Sequence, residues 1–594
     1  MKKVSDVVFS FLHDKAVKHI FMLPGGGAMH LVDSLGKSGI EYIPFLHEQG
    51  AAIAAEAYGQ HTNRPGVLLV TSGPGGTNAI TGVTAGWIDS TPMFVISGQA
   101  KRQDLVKDIG VRQKGSQEVQ IIPMVKPVTK YAVQVLEPEK ILYYLTHAWR
   151  EATTGRPGPV WLDIPLDVQG CMVDEQKICQ IADFSAPQIS VTKENGHYKE
   201  IASKVIQLFL KSKKPLILAG NGIKLSSGQG EFYALIDRLR VPVQTTWKAI
   251  DLMEDLHPLY AGHPGIMGDR GANLIIQESD LLLVIGSRLD TSITAFNNSH
   301  FAYHAKKILV DIDQQELMNI DMDTEEKICC DAALILEHLN RGLYDIDISV
   351  LEKADKVHAK WRDYCHTLRK RFPVITTQHK AQQQFVSCYF FIDLLCDYLR
   401  DDDIIVPESS GGAGEITYQA FRIKKGQKMK NAAGLGSMGF GLPYAIGSCI
   451  ANNGRRTILI NGDGAFQLNI QELETAHRLK LPLKMFIWCN HGYASIRSMQ
   501  RNNFEGRYVG SNAESGLTIP DIGAVANAYG FQTCQIRRNE ELKQKLPELL
   551  KDDRPLLCEV FVDPNECVSP RVKAYVGQDG QMRSGLLENM WPKV

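Results

Sequence analysis

Almost no net charge is left on this chain: 65 Lys and Arg stand against 66 Asp and Glu, for a formal charge of −1 at pH 7. That balance excludes a basic field for nucleic acid and an acidic tail for a basic partner. No apolar stretch reaches the length of a membrane span, so no membrane partner is expected. The 12 cysteines lack the spacing of a zinc site, and Cys329-Cys330 are neighbours rather than a CxxC pair. Such thiols fit a reduced, cytoplasmic protein. Behind Met1-Lys2-Lys3, Val4, Val7, Val8 and Phe11 recur at helical spacing with Asp6 and Asp14 between them. This reads as an amphipathic helix and not as a secretory signal.

What the chain does have is length and alternation. Its 594 residues are enough for roughly three or four domains, each with its own core. Apolar strand patterns alternate with helical ones in three segments, residues 1–182, 198–345 and 385–565, followed by a tail at 566–594. The polar stretch from Ser185 to His197 reads as a linker, and Glu352 to Arg371 as a charged helical connector. Alternation of this kind predicts an α/β protein of three doubly wound parallel sheets.

Two places carry chemistry. Apolar runs from Thr457 to Ile460 and from Leu483 to Trp488 lead into Gly462-Asp463-Gly464-Ala465 and Cys489-Asn490. An acid and an amide at the ends of two buried strands sit where α/β folds bind ligands. Asp463 and Asn490 are hard oxygen donors suited to Mg²⁺ shared with phosphate oxygens. The small Gly462, Gly464 and Ala465 let backbone N–H groups approach an anion. A bare Gly-Asp-Gly is more often an ordinary turn; the Asn at this distance argues against that. Far upstream, Glu48 opens a helix of small residues, Ala51-Ala52-Ile53-Ala54-Ala55 onward, between two glycine-rich loops, Pro24-Gly25-Gly26-Gly27 and Ser72-Gly73-Pro74-Gly75-Gly76-Thr77-Asn78.

With these motifs, and with Leu435-Gly436-Ser437-Met438-Gly439-Phe440-Gly441-Leu442-Pro443, the chain resembles the thiamine-diphosphate-dependent decarboxylases and carboligases, in the acetolactate-synthase-like branch, from Phe21 to about Val562. The resemblance implies that the first segment binds the pyrimidine of thiamine diphosphate and the third its diphosphate. The two halves would come from different subunits, giving a homodimer or a dimer of dimers. Glu48 matches the carboxylate that shares a proton with the pyrimidine ring. Met438 matches the apolar residue that folds the cofactor, although Met is usually a core filler. Gly436 would hold the exocyclic amine through its carbonyl. Asp463, Asn490 and the backbone oxygen of Gly492 would hold Mg²⁺. Gly26, Gly27, Pro74 and Asn78 fall near the pyrimidine, where turn chemistry alone would also explain them.

The same resemblance frames the reaction. A 2-oxo acid loses CO₂ and the acyl carbanion is captured by a proton, an oxidant or a second carbonyl. Asp108 to Glu118 reads DIGVRQKGSQE, without the histidines that simple decarboxylases use for protonation. Gln117 matches a glutamine beside the reacting carbon, with a polar loop residue as the alternative. Departures bear on the acceptor: Ser116 stands for a Phe, Met499 for an acceptor-selecting Trp, Gly411-Gly412 for Gln-His, and Ser292 for an Arg. Losing a large aromatic wall opens a pocket, so the expected acceptor is bulkier than a second 2-oxo acid. Branched-sugar synthases, which acylate a nucleotide-linked keto sugar, have similar tails to Ser569-Pro570-Arg571 and beyond. A decarboxylase, oxidase or carbon–carbon hydrolase, or a non-catalytic homologue, remains as an alternative.

In the middle segment, Gly220 and Gly222 follow a strand, Arg288 and Asp290 lie in Gly286-Ser287-Arg288-Leu289-Asp290, and Asp311 and Asp313 end another strand. The resemblance favours FAD here, held without redox work, over a filled cleft or another nucleotide.

Overall fold

A computed structural model describes residues 1–106, 110–182 and 195–593. The stretch read as a linker lies largely outside these residues, as do Asp108 and Ile109. Gly196 and His197 already belong to the helix Asn195–Lys211.

The first domain holds six parallel strands: β1 (His19–Met22), β2 (Glu41–Pro44), β3 (Gly66–Val70), β4 (Met93–Gln99), β5 (Tyr131–Gln134) and β6 (Pro159–Pro165). Their order across the sheet is β2-β1-β3-β4-β6-β5. The middle domain has five, β7 (Pro215–Ala219), β8 (Val243–Thr245), β9 (Leu281–Ile285), β10 (Lys306–Asp311) and β11 (Glu326–Cys329), in the order β8-β7-β9-β10-β11. Six more form the third: β12 (Ile404–Pro407), β13 (Lys428–Met429), β14 (Thr457–Gly462), β15 (Leu483–Cys489), β16 (Gln532–Ile536) and β17 (Leu556–Phe561). These run β13-β12-β14-β15-β17-β16, so the first and third sheets share one strand order. Strands such as β3, β9 and β15 are buried along their whole length, as parallel strands covered by helices on both faces must be. Three doubly wound sheets are thus what the alternation predicted.

In each sheet the order reverses beside the first strand of its domain, which creates a crevice at the carboxyl ends of the two flanking strands. Glycines set how closely the loops there meet. A Cβ on Gly27 would lie 2.3 Å from Ser72 Oγ, and one on Gly220 would lie 2.1 Å from Gly286 O.

Small residues also join the first and third domains. Helix α1 (Glu48–Thr62) is wedged between α2 (Pro74–Ile88) and α3 (Gly441–Ala451). A Cβ on Gly82 would meet Ala52 Cβ at 2.6 Å, and one on Gly447 would meet Ala54 O at 2.3 Å. One apolar core therefore runs from Phe21 and Val70 through α1 to Leu459 and Ile487.

The charged helix Ile348–Arg371 packs on the middle sheet, where Trp361 Nε1 donates to Pro215 O at 3.0 Å. The tail returns to the same domain: Arg270 and Asn273 donate to Met590 O and Leu587 O at 3.1 and 3.2 Å. No helix among the described residues is long and apolar enough to cross a membrane.

Candidate active site

Glu48 is the first residue of α1, behind His47, whose Nδ1 caps the helix by accepting from Gln49 N at 3.0 Å. The Glu48 side chain is 6% exposed. Asn78, on α2, donates to its Oε2 at 3.0 Å, and Oε1 has no hydrogen-bond partner among the described residues. Pro74 is the first residue of α2, where its missing N–H costs nothing. Gly73 before it has φ +59°, and a Cβ there would strike Gln117 O at 2.5 Å. Gln117, itself at φ +57°, is therefore laid over the start of α2, with its side chain exposed. Glu118 fixes that loop from beneath, accepting from Val106 N, from Lys114 N at 3.0 Å and from Gly115 N at 3.1 Å. Gly27 N donates to Thr71 Oγ1 at 3.1 Å, and Gly26 faces open space. These residues all gather at the carboxyl edge of the first sheet.

At the same edge of the third sheet, Asp463 follows β14 and is 1% exposed. Its Oδ2 accepts from Asn490 N and His491 N at 3.0 and 2.6 Å, and its Oδ1 from Gly464 N at 2.8 Å. Burial pushes this carboxyl up to about 6, against the pull of those N–H groups. Gly492, at φ +140°, leaves no room for a side chain: a Cβ would sit 2.4 Å from Ser511 O. Gly462 opens onto free space, and Gly464 lies against Tyr493, whose ring a Cβ would meet at 2.6 Å. Ala465 is buried in the turn that follows.

Arg497, which the sequence reading missed, holds the other side of the loop. Its Nη2 donates to Asn490 O at 2.9 Å and to Asn490 Oδ1 at 3.2 Å, and its Nη1 to Ser511 O at 3.2 Å. Gly436, at φ +63°, precedes a half-buried Met438. That segment is pinned by Glu408, whose buried carboxylate accepts from Phe440 N at 3.3 Å and Gly441 N at 3.0 Å. Burial lifts Glu408 to about 7.

Among the described residues no group of three or more His, Cys, Asp or Glu side chains gathers as a metal site. The donor set at the loop is one carboxylate, one amide and one backbone carbonyl. A buried carboxylate with no ion-pair partner among the described residues, beside an amide oxygen with a second lone pair to give, fits a cation that completes its shell elsewhere.

Beside Glu48 the contact between domains runs through Glu472, which accepts from His47 N at 3.1 Å, and through Asn469, which donates to Gln49 Oε1 at 3.1 Å. Among the described residues no hydrogen bond or ion pair links Glu48 to Asp463, Asn490 or Met438.

A cleft of ≈ 450 Å³ lies where the three domains meet, lined by Gly222, Arg288, Asp311, Trp247, Tyr418 and, from the segment just described, Gly436 among others. Arg288 there has no ion-pair partner among the described residues, and the buried Asn221 Oδ1 has no hydrogen bond. Gly220 does not line the cleft; it is spent on strand-end packing against Gly286. Asp311 accepts from Asp313 N at 2.9 Å, and burial raises its carboxyl. Asp313 is turned to Arg156 Nη1 at 2.9 Å, and Asp290 caps the turn that carries Ser292. Lys248 borders the cleft and ties the domains together. Its Nζ donates to Gln60 Oε1 at 2.8 Å, Asp89 Oδ2 at 2.9 Å and Asn431 O at 2.7 Å.

Three family models match the chain in succession. Residues 2–124 match the N-terminal TPP binding domain of thiamine pyrophosphate enzymes, residues 202–339 the central domain, and residues 410–560 the C-terminal TPP binding domain. The acetolactate synthase large subunit of Lactococcus lactis is 30% identical over 97% of this chain and 95% of its own. The isozyme 2 large subunit of Escherichia coli is 30% identical over 98% of each. A probable acetolactate synthase large subunit of Methanococcus aeolicus is 32% identical over 95% of this chain and 93% of its own.

Proposed function

We propose that this chain, which belongs to the acetolactate-synthase-like thiamine pyrophosphate enzymes, decarboxylates a 2-oxo acid, pyruvate first, and transfers the two-carbon acyl unit to a carbonyl acceptor larger than a second 2-oxo acid. A nucleotide-linked keto sugar is the acceptor class that fits. One observation carries this: a buried carboxylate with one oxygen free of partners among the described residues stands at one sheet edge, and Asp463, anchored to the Asn490–Gly492 loop, at the matching edge of a sheet of the same order.

Thiamine diphosphate, when bound, supplies the electron sink for the carbanion left by loss of CO₂. Glu48 Oε1 would hold and return a proton at the pyrimidine side, while Asn78 keeps the carboxyl oriented. Asp463, Asn490 and the Gly492 carbonyl would take Mg²⁺ and so fix the diphosphate. Met438 would support the cofactor's folded form. We take a second copy to complete each site, with a homodimer as the smallest working unit, since among the described residues no hydrogen bond links Glu48 to Asp463 or Asn490. Met499 supports the wide acceptor side, being 45% exposed where a Trp wall would close the space. The three-domain cleft, with Gly222 and Arg288, has the chemistry for the diphosphate of FAD.

Purified protein with thiamine diphosphate, Mg²⁺, labelled pyruvate and a panel of acceptors tests this. Label is expected in an adduct with the bulky keto acceptor. Release of CO₂ with no label transferred to any carbonyl would make it a decarboxylase instead.

A further inference from the structure

Away from the site, two cysteines face each other across neighbouring strands of the third sheet. Cys534 lies on β16, the outer strand, and Cys558 on β17 beside it, and the parallel register sets the two directly opposite. Opposite residues point to the same face of a sheet. Here that face lies under the helix Asn539–Leu550: Cys558 belongs to the apolar core that includes Leu542 and Leu546, and Cys534 packs against it. Neighbouring strands run about 4.7–4.9 Å apart, inside the roughly 4.4–6.8 Å between Cα atoms that a disulfide spans. The Cys558 thiol is hydrogen-bonded to the Cys534 sulfur.

The two thiols differ in their surroundings. Cys558 is fully buried, whereas Cys534 is half-buried on an edge strand whose Gln532 and Gln535 are exposed. Lys545 reaches that strand from the overlying helix, its Nζ donating to Gln535 O at 2.6 Å and to Glu541 Oε2 at 2.5 Å. The hydrogen bond from Cys558 holds the Cys534 thiol below its ordinary value; the Lys545 ammonium adds to this, against burial and Glu559. Burial pushes Cys558 well up. A cysteine buried alone is ordinarily a small hydrophobe. A thiol that is partly exposed beside an ammonium and bonded to a neutral thiol has instead the surroundings of an attacking cysteine with its resolving partner.

We infer that Cys534 and Cys558 form a reversible redox pair, which hydrogen peroxide oxidises to a disulfide across β16 and β17. The Cys534 sulfur attacks one peroxide oxygen, the O–O bond breaks, and the departing hydroxide takes up the Cys534 proton to leave as water. Cys534 is then a sulfenic acid. The Cys558 sulfur displaces its hydroxyl, which leaves with the Cys558 proton as a second water while the S–S bond forms. One peroxide is reduced and two thiols are oxidised. The bond clasps the edge strand to β17, which pairs along β15 up to Cys489, the residue before Asn490. An edge strand has one neighbour to hold it, so the clasp restrains a part of the sheet that is ready to open.

The test is peptide mapping without reductant of the full-length protein, first reduced, freed of reductant, treated with hydrogen peroxide and alkylated. The peptides of Cys534 and Cys558 are expected joined, two hydrogens lighter than their sum, and separable by dithiothreitol. The exposed Cys179 should take no part in the link. Cys558→Ala should leave Cys534 as a sulfenic acid that dimedone captures, and Cys534→Ser should abolish link and capture alike. Should Cys558→Ala fail to fold, Cys558→Ser gives the same comparison. Amide hydrogen exchange in β16 should slow on oxidation of wild type and not of Cys534→Ser. Both cysteines still alkylated once peroxide has consumed Cys179, or Cys534 joined to a different cysteine, overturns the pair. A link that leaves exchange in β16 unchanged overturns the clasp.

Discussion

The first and third sheets have the same strand order and place an acid at the same edge, yet they treat it differently. Among the described residues Glu48 accepts one hydrogen bond, from a side-chain amide, and keeps an oxygen free. Asp463 accepts three, all from backbone N–H groups of the loop it anchors. A carboxylate with one partner can pass a proton to a ligand without dismantling its surroundings. One that holds a loop through three bonds is a fixed post, and its remaining lone pairs suit a cation. Hydrogen-bond count, more than fold or sequence position, separates the two roles.

The sharpest way to break this contrast is Glu48→Gln. The amide keeps the shape and the Asn78 contact but cannot share a proton, so kcat should fall by about 10²–10⁴-fold while cofactor affinity holds. Near wild-type turnover would remove the proton-sharing role. Asp463→Ala should instead show up in titrations of the apo-protein, weakening thiamine diphosphate and Mg²⁺ by more than the roughly 10–100-fold typical of a group that merely supports a metal ligand. Unchanged affinities would make Asp463 a loop anchor alone.

Met499→Trp probes the acceptor side of the third domain. It should lower kcat/KM for bulky acceptors relative to acetaldehyde or a second pyruvate by about tenfold. Equal losses with both, together with a lower Tm, would show that Met499 only packs its helix.

The smallest effect is expected from Glu56, two turns beyond Glu48 on the same helix. Burial raises its carboxyl from 4.5 to about 7, and one of its oxygens has no partner. The unfolded chain then loses this proton at lower pH than the native one. Stability is therefore greatest below the ordinary value and declines as pH rises through about 7. Tm of wild type should drop relative to Glu56→Gln across that window, by a few degrees at most for a chain of this size. Parallel Tm curves for the two proteins would contradict the raised value.

Much of this was legible in the chain. Apolar runs ending in Asp463 and Asn490, and a Glu opening a run of alanines, announce strand ends and a helix start because period and composition are local properties. Arg497 was not legible. Its partners are mostly backbone carbonyls drawn from separate segments, and such acceptors leave no trace in a motif. Glu118 and Glu408 were hidden for the same reason, as acids spent on backbone N–H groups. Gly220 misled in the opposite sense: a glycine after a strand suggests a ligand's approach, whereas here it admits Gly286.

Lys248 has a mechanical consequence. Its ammonium has three N–H bonds, and they go to the first domain twice and to the third once, while its stem is rooted in the middle one. Three bodies meet at this point, in addition to the helix packing and the Arg156–Asp313 pair that join them elsewhere. Motions that widen or narrow the cleft must either carry these three bonds along or break a charged joint at the cleft's own border.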